Sequence, residues 1–428
     1  MKPLHLFPCM LFIAVAAFSP CLLAQAGPEH WVSTWASSPQ QPRALSVPRP
    51  ATAAAATTPA PPRPVPLMSF HNQTLRMIAH TTLGGRRVRI ELSNVFGSAP
   101  LVIGAAHIAL RDKESAIAPA SDRTLLFGGK PSCWIPPGAT EISDPVNLDV
   151  PAATDLAVSI YVPESATGDT MHNVGLHTTY ISKEGDTTAA PEIADAMTTQ
   201  SFYFLTNVDV AAPADAWAIV TFGDSITDGA VSTPNTDRSW PSFLARRLAA
   251  AGSTNIAVLN QGISGNRLLR DGAGVNALAR FDRDVLAQPG VKWLMVLEGI
   301  NDIGVSSSTD PVSADDLIAA LKQLIERARE HGIKVIGGTL TPYEGARYYT
   351  EPGETIREAV NQWIRSAGAF DAVVDFDAVT RDPEHPKQFR PGFNDGDHLH
   401  PNDAGYAAMA DAIDLSIFGV RLTATAAR

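Results

Sequence analysis

The chain has 428 residues, of which 45% are hydrophobic and 18% charged. That is enough apolar material for two packed cores, and it excludes a disordered chain. The net charge of −11 gives a surface that repels phosphate backbones and excludes nucleic acid as a partner.

The first residues read as a targeting segment. Lys2 supplies the positive charge, Leu11 to Phe18 the apolar stretch, and Ala24-Gln25-Ala26 the small-residue cleavage site. Residues 1–26 are therefore expected to be a signal peptide cleaved after Ala26, which places the protein in the periplasm or outside the cell. The apolar part is too short for a membrane span and nothing later resembles one, so no stable membrane insertion is expected. Cys9 and Cys21 leave with the signal. Cys133 then stands alone beside Trp134 and Ile135, which excludes an internal disulfide and reads as a buried structural thiol.

Residues 27–66 open with a short strand at 31–35. A stretch rich in Pro, Ala and Thr follows at 39–66, to which no fold is assigned. Residues 67–212 read as all β. Val88, Ile90 and Leu92 alternate with Arg89 and Glu91, so one face of that strand is buried and the other wet. The runs at 75–80 and 88–92 flank Gly84-Gly85-Arg86, the spacing of a hairpin. Further strands are expected at 105–110, 156–162 and 172–180. Many short strands between turns point to an antiparallel β-sandwich.

At residue 213 the rhythm changes to strands alternating with helices. Strands are expected at 217–222, 256–260, 293–297, 334–337 and 372–376. Helices are expected at 240–250, 275–287, 313–331, 355–367 and 402–415. This alternation implies an α/β domain over 213–428, a parallel sheet covered on both faces, with its site at the C-terminal ends of the strands.

Three segments sit at those ends: Gly223-Asp224-Ser225, then 260–266 ending in Ser264-Gly265-Asn266, then Glu298-Gly299-Ile300-Asn301-Asp302. Asp397-His398-Leu399-His400-Pro401 lies near the C-terminus. Serine is a poor nucleophile without a base to take its proton and a group to orient that base. The chain holds all three kinds of residue in the order Ser, Asp, His. Acyl transfer also needs preorganised donors for a tetrahedral oxyanion. The backbone N–H groups of Ser225 and Gly265 and the amide of Asn301 are candidates.

Taken together, Gly-Asp-Ser, Gly-x-x-Gly-Asn, Gly-x-Asn-Asp and Asp-x-x-His-Pro in this order resemble the four blocks of the SGNH (GDSL) hydrolases. The resemblance covers about Ala218 to Tyr406. It implies a flavodoxin-like three-layer α/β/α sandwich with Ser225 as nucleophile, His400 as base and Asp397 as its orienter. It also implies an oxyanion hole of Ser225, Gly265 and Asn301, with no cofactor. With Trp31-Val32-Ser33-Thr34-Trp35 and the β region in front, the whole chain is similar to a secreted bacterial subgroup of arylesterases and acylhydrolases, some of them linked to xylan degradation. Glu298 and Ile300 stand where that family often has small residues, which implies a reshaped acyl pocket.

Each assignment has a rival. Asp395-Gly396-Asp397-His398 is also Asp-x-x-His, but Pro401 and the helix start at Asn402 favour His400. His398 and His400 with Asp395 and Asp397 would suit a divalent metal and a phosphoesterase, yet a metal mechanism leaves Ser225, Gly265 and Asn301 unused. A non-catalytic carbohydrate-binding protein would display aromatics, and Trp31, Trp35 and Trp134 are the candidates. Asp224, Asp228, Asp302 and Ser264 read as structural. The expected activity is serine ester hydrolysis through an acyl-enzyme, removing short acyl groups such as acetyl from carbohydrate or related small-molecule or polysaccharide esters. Aryl esters and lipids are the alternative substrates.

Overall fold

The computed structural model describes residues 29–42 and 67–420. The expected signal peptide, its cleavage after Ala26 and residues 43–66 of the expected insertion lie outside them.

The β region is built on two antiparallel sheets. One runs Trp31–Ala36, Leu205–Ala211, Gly85–Ser93, Val146–Val150, with Thr140–Ile142 also pairing with Gly85–Ser93. The other runs Met197–Thr199, Thr179–Ile181, Gln73–His80, Asp155–Val162, Ala105–Leu110, Arg123–Thr124. Alternation decides the faces. Val88, Ile90 and Leu92 of the first sheet share one core with Leu75, Met77, Leu156, Val158 and Ile160 of the second. Ile78, Ala109 and Ala157, on the intervening positions, form a small separate cluster with Ile117.

Two local expectations fail. Gln73–His80 and Gly85–Ser93 are not a hairpin, since they pair with different strands in different sheets. The chain turns a corner between the sheets, and alternation looks the same in both cases because both strands face one core. The strand expected over 172–180 is two pieces, Met171–His172 and Thr179–Ile181, parted by a loop in which Leu176 has φ 57°. The short strand expected at 31–35 is Trp31–Ala36, which pairs with Leu205–Ala211 in the first sheet.

The second half holds a five-stranded parallel sheet in the order Ile256–Gly262, Trp217–Gly223, Val291–Leu297, Lys334–Gly338, Ala372–Val374. The first crossover runs to one side and the later ones to the other. Right-handed crossovers therefore place helices on both faces and open a crevice beside the central strand. Helix Trp240–Ala250 packs with Asp403–Asp411, and Ala314–Glu330 with Glu351–Ser366. Ser313 and Asp316 form a reciprocal capping box, as their spacing predicts. The helix expected at 275–287 is an α-turn, Ala277–Phe281, passing into a π-turn, Asp282–Leu286. The last expected helix stops at Asp411, and the final strand stops at Val374 because Asp375 caps a short helix, Phe376–Thr380.

The β-sandwich lies against the edge of the parallel sheet. Thr82 Oγ1 accepts from Val258 N at 3.0 Å and donates to Val258 O at 3.2 Å, covering the edge strand. Ser33 N donates to Pro289 O at 3.1 Å.

Candidate active site

Gly223 pairs with Gly262 on one side and Leu297 on the other, so three strands end at one level and deliver their loops together. Gly223 has no room for a side chain, since a Cβ would stand 2.2 Å from Leu297 O and 2.4 Å from Thr227 Oγ1. The chain therefore turns at once into a four-residue helix, Ser225–Asp228. Asp224 caps it, accepting from Ile226 N at 2.9 Å. Ser225 is the first helical residue, where backbone N–H groups have no helical acceptor.

Ser225 Oγ lies 2.8 Å from His400 Nε2, and His400 Nδ1 lies 2.6 Å from Asp397 Oδ2. The carboxylate accepts, so Nδ1 carries the ring proton and Nε2 presents its lone pair to the serine hydroxyl. Asp397 Oδ1 accepts from Leu399 N and His400 N at 2.9 Å and from Asn394 Nδ2 at 2.8 Å. Burial pushes its carboxyl up, but these bonds and the His400 ring outweigh it and hold the group well below the usual range. Asp397 is thus an anion at any pH where the imidazole is neutral. His398 is exposed in the same loop at φ 58°, and His400 alone of the two has a hydrogen bond to Ser225. Asp395 caps nothing catalytic and accepts from Asn402 Nδ2 at 2.7 Å.

Gly265 sits at the third position of a tight turn, with φ 83° and Asn266 N donating to Ile263 O at 2.9 Å. That conformation suits glycine. Asn301 begins the next loop on the short helix Ile300–Gly304. Its Nδ2 donates one hydrogen to Asn266 O at 2.9 Å, and its Oδ1 accepts from Tyr348 OH at 3.3 Å. Those two contacts fix which way the amide faces and leave its second N–H free.

Several residues that hold this assembly carry no motif. Arg280, fully buried, donates to Gly223 O at 2.9 Å, Gln261 O at 2.8 Å, Asn266 Oδ1 at 2.9 Å and Ser38 Oγ at 3.1 Å. One guanidinium thus ties the ends of strands Trp217–Gly223 and Ile256–Gly262, the Asn266 turn and the Ser38 segment together, stacked over Phe222 at 4.0 Å. Asp284 balances it at 3.0 Å. An arginine one turn from Ala277 on an otherwise apolar helix face, with Asp284 four residues on, was a legible hint of a buried pair. Tyr348 and Asn394 gave no such hint.

The acids read as structural behave as such. Asp302 accepts from Leu268 N at 2.6 Å and Leu269 N at 3.0 Å. Asp228 accepts from Ser264 N at 2.8 Å and Ser264 Oγ at 2.5 Å. The Glu298 side chain is fully buried, 3.8 Å from Arg280, and Ile300 is buried too. Cys133 is half-buried, with its thiol pushed up to about 12 by burial. Trp134 is 59% exposed, whereas Trp35 packs edge-on against Phe202 and Trp31 lies under Arg89. Among the described residues, no helix is long and apolar enough to cross a membrane.

Residues 221–408 match the family model of the GDSL-like Lipase/Acylhydrolase family. Similar solved structures include a G-D-S-L family protein from Desulfitobacterium hafniense DCB-2, 26% identical, covering 46% of this chain and 96% of that one with a TM-score of 0.34. An acetyl xylan esterase from Geobacillus stearothermophilus is 25% identical, with coverages of 49% and 97% and a TM-score of 0.37. A GDSL-like lipase from Bacteroides thetaiotaomicron VPI-5482 is 21% identical, with coverages of 48% and 89% and a TM-score of 0.36. No curated protein matches the chain.

Proposed function

We propose that residues 221–408, which match the GDSL-like Lipase/Acylhydrolase family model, form a carboxylic ester hydrolase that works through an acyl-enzyme on Ser225. The observation that carries this reading is the 2.8 Å contact between Ser225 Oγ and His400 Nε2, backed by Asp397 on the far ring nitrogen.

In the first step Ser225 Oγ attacks the ester carbonyl while His400 Nε2 takes its proton. The carbonyl oxygen becomes an oxyanion held by the N–H groups of Ser225 and Gly265 and the free N–H of Asn301. Collapse breaks the ester C–O bond, and the alcohol leaves with the proton from His400. Water then attacks the acyl-enzyme, giving its proton to His400, which passes it to Ser225 Oγ as the acyl C–Oγ bond breaks and the acid departs. Asp397 holds the ring tautomer and balances its charge.

The acyl group we assign is short, acetyl first. Ser225 is only 5% exposed, and Tyr348 OH lies 3.3 Å from Asn301 Oδ1 beside the assigned oxyanion donor; both support a small group. The alcohol side is a carbohydrate in our reading, which agrees with an expected export signal ending at Ala26. A panel of p-nitrophenyl esters of rising chain length, run beside acetylated xylan, tests both halves. Activity should be highest on acetate and absent in Ser225→Ala. Preference for long chains would reject the acyl assignment, and full activity in Ser225→Ala would reject the mechanism.

A further inference from the structure

A second cluster of chemistry-bearing side chains lies away from Ser225, where the β-sandwich meets the hydrolase domain. His80 ends strand Gln73–His80, Asp155 begins strand Asp155–Val162, and Asp237 comes from the loop before helix Trp240–Ala250. Their donor atoms all lie within 4.8 Å of one another. His80 Nδ1 is 2.7 Å from Asp155 Oδ1 and 3.4 Å from Asp237 Oδ2.

Each carboxylate uses its two oxygens for different tasks. Asp155 turns Oδ1 toward His80 and gives Oδ2 to Arg111 Nη1 at 2.8 Å. Asp237 turns Oδ2 toward His80 and gives Oδ1 to His177 Nε2 at 2.8 Å. His177 Nδ1 is buried without a hydrogen-bond partner, so Nε2 is the nitrogen that carries its proton. One inward oxygen with one outer oxygen tied to a donor is the arrangement that orients carboxylate ligands around an ion. His80, His177 and Asp237 also line a cavity of about 350 Å³. It offers an entry path and room for water at an open position.

We infer that His80 Nδ1, Asp155 Oδ1 and Asp237 Oδ2 form a site for a divalent first-row cation, Zn²⁺ first, which clamps the two domains together. One imidazole and two carboxylates suit such an ion, and the two negative charges match its own. Tetrahedral ligands at ~2.0–2.1 Å from the metal stand roughly 3.3 Å apart. The His80–Asp237 distance of 3.4 Å already fits, and the His80–Asp155 contact of 2.7 Å opens by about 0.6 Å when the ion replaces the shared proton. That proton leaves Nδ1 for solvent, and the ring lone pair becomes the metal bond. Two ligands come from the β-sandwich and one from the loop after helix Ser225–Asp228, so the ion reinforces a junction that Asn235 N already makes with Leu176 O at 2.7 Å.

The test uses the full chain, stripped with EDTA and titrated by calorimetry with Zn²⁺, then with Co²⁺ to read its visible absorption. The expected result is one saturable equivalent of Zn²⁺ and a rise in melting temperature that grows with its concentration. Asp237→Asn, which keeps the side-chain volume, should weaken binding by about 100-fold or more, and His177→Ala by about 10–100-fold. If the wild type takes up no saturable equivalent of either metal, the cluster is an ion-pair network and the proposal is overturned. Binding that is unchanged in both Asp237→Asn and Asp155→Asn would overturn it equally.

Discussion

His172 Nε2 of the β region lies 3.0 Å from Asp228 Oδ1 at the end of helix Ser225–Asp228. The other oxygen of Asp228 holds the N–H and hydroxyl of Ser264, the residue before Gly265. A side chain of the first domain thus reaches the loop assigned to the oxyanion through a single carboxylate. His172 Nδ1 faces the Ser38 carbonyl at 2.9 Å. A carbonyl only accepts, so Nδ1 carries a proton, and Nε2 facing a carboxylate makes the ring a cation.

Removing that cation should therefore cost rate as well as stability. His172→Ala leaves the Asp228 charge buried and unpaired, a loss of about 3–5 kcal/mol, and frees the Ser264–Gly265 turn. A fall in kcat on p-nitrophenyl acetate of about tenfold or more, with KM little changed, would mark loosened oxyanion donors. An unchanged kcat beside a lowered melting temperature would make the contact purely structural.

The same pair sets a pH dependence. Burial pulls the His172 pKa down, but Asp228 and the backbone carbonyls of Ser38 and Val174 outweigh it and raise it above the ordinary 6.5. A raised histidine stabilises the fold fully below 6.5 and loses that contribution as pH climbs through the raised value. Thermal melts of wild type and His172→Gln should thus be furthest apart in mild acid and converge in alkali. A gap that widens with pH would contradict the assigned charge.

The histidine assignment is tested by alanine at each position. His400→Ala and Ser225→Ala should each lose about 10⁴-fold or more in kcat/KM. His398→Ala should keep wild-type rates, because no hydrogen bond joins it to the serine. Single-turnover assays on p-nitrophenyl acetate would show the reverse pattern if His398 were the base.

Asn301→Ala should cost about 10²–10³ in kcat, the worth of one oxyanion donor. Tyr348→Phe removes only the hydroxyl that orients the amide, and should cost about 3–10-fold, as for one neutral hydrogen bond. Both losses should fall on kcat rather than KM. An Asn301→Ala enzyme within tenfold of wild type would remove the amide from the mechanism.

The four motif blocks were legible because each needs a residue type that only one job explains. The parallel sheet was legible because buried strands read as unbroken apolar runs, such as Trp217 to Phe222. What the sequence hid is what depends on partners far along the chain. The turn at Gly84 looked like a hairpin because alternation reports a face, not a neighbour. Arg280 sits 242 residues from Ser38, and His172 sits 56 from Asp228; no local pattern announces such pairs. Tyr348 lies in a loop without periodicity, so only the folded chain reveals its hydroxyl at Asn301.

The buried acids behind the serine yield the last prediction. Burial, then repulsion from Asp224, hold the Glu298 carboxyl well above its ordinary 4.5, with Arg280 too distant to reverse it. Burial likewise raises Asp224 to about 7. A folded state that keeps protons which the unfolded state has released loses stability as pH rises. Both groups therefore weaken the fold from mild acid upward. Glu298→Gln makes one of them permanently neutral at constant shape, and among the described residues no side chain hydrogen-bonds either carboxylate oxygen. The variant should melt near wild type at pH 5 and above it at pH 8, with kcat within a few-fold because the Arg280 bonds to Gly223 O, Gln261 O and Asn266 Oδ1 remain. A variant that is less stable than wild type at the higher pH would mean that Glu298 is an anion paired with Arg280 after all.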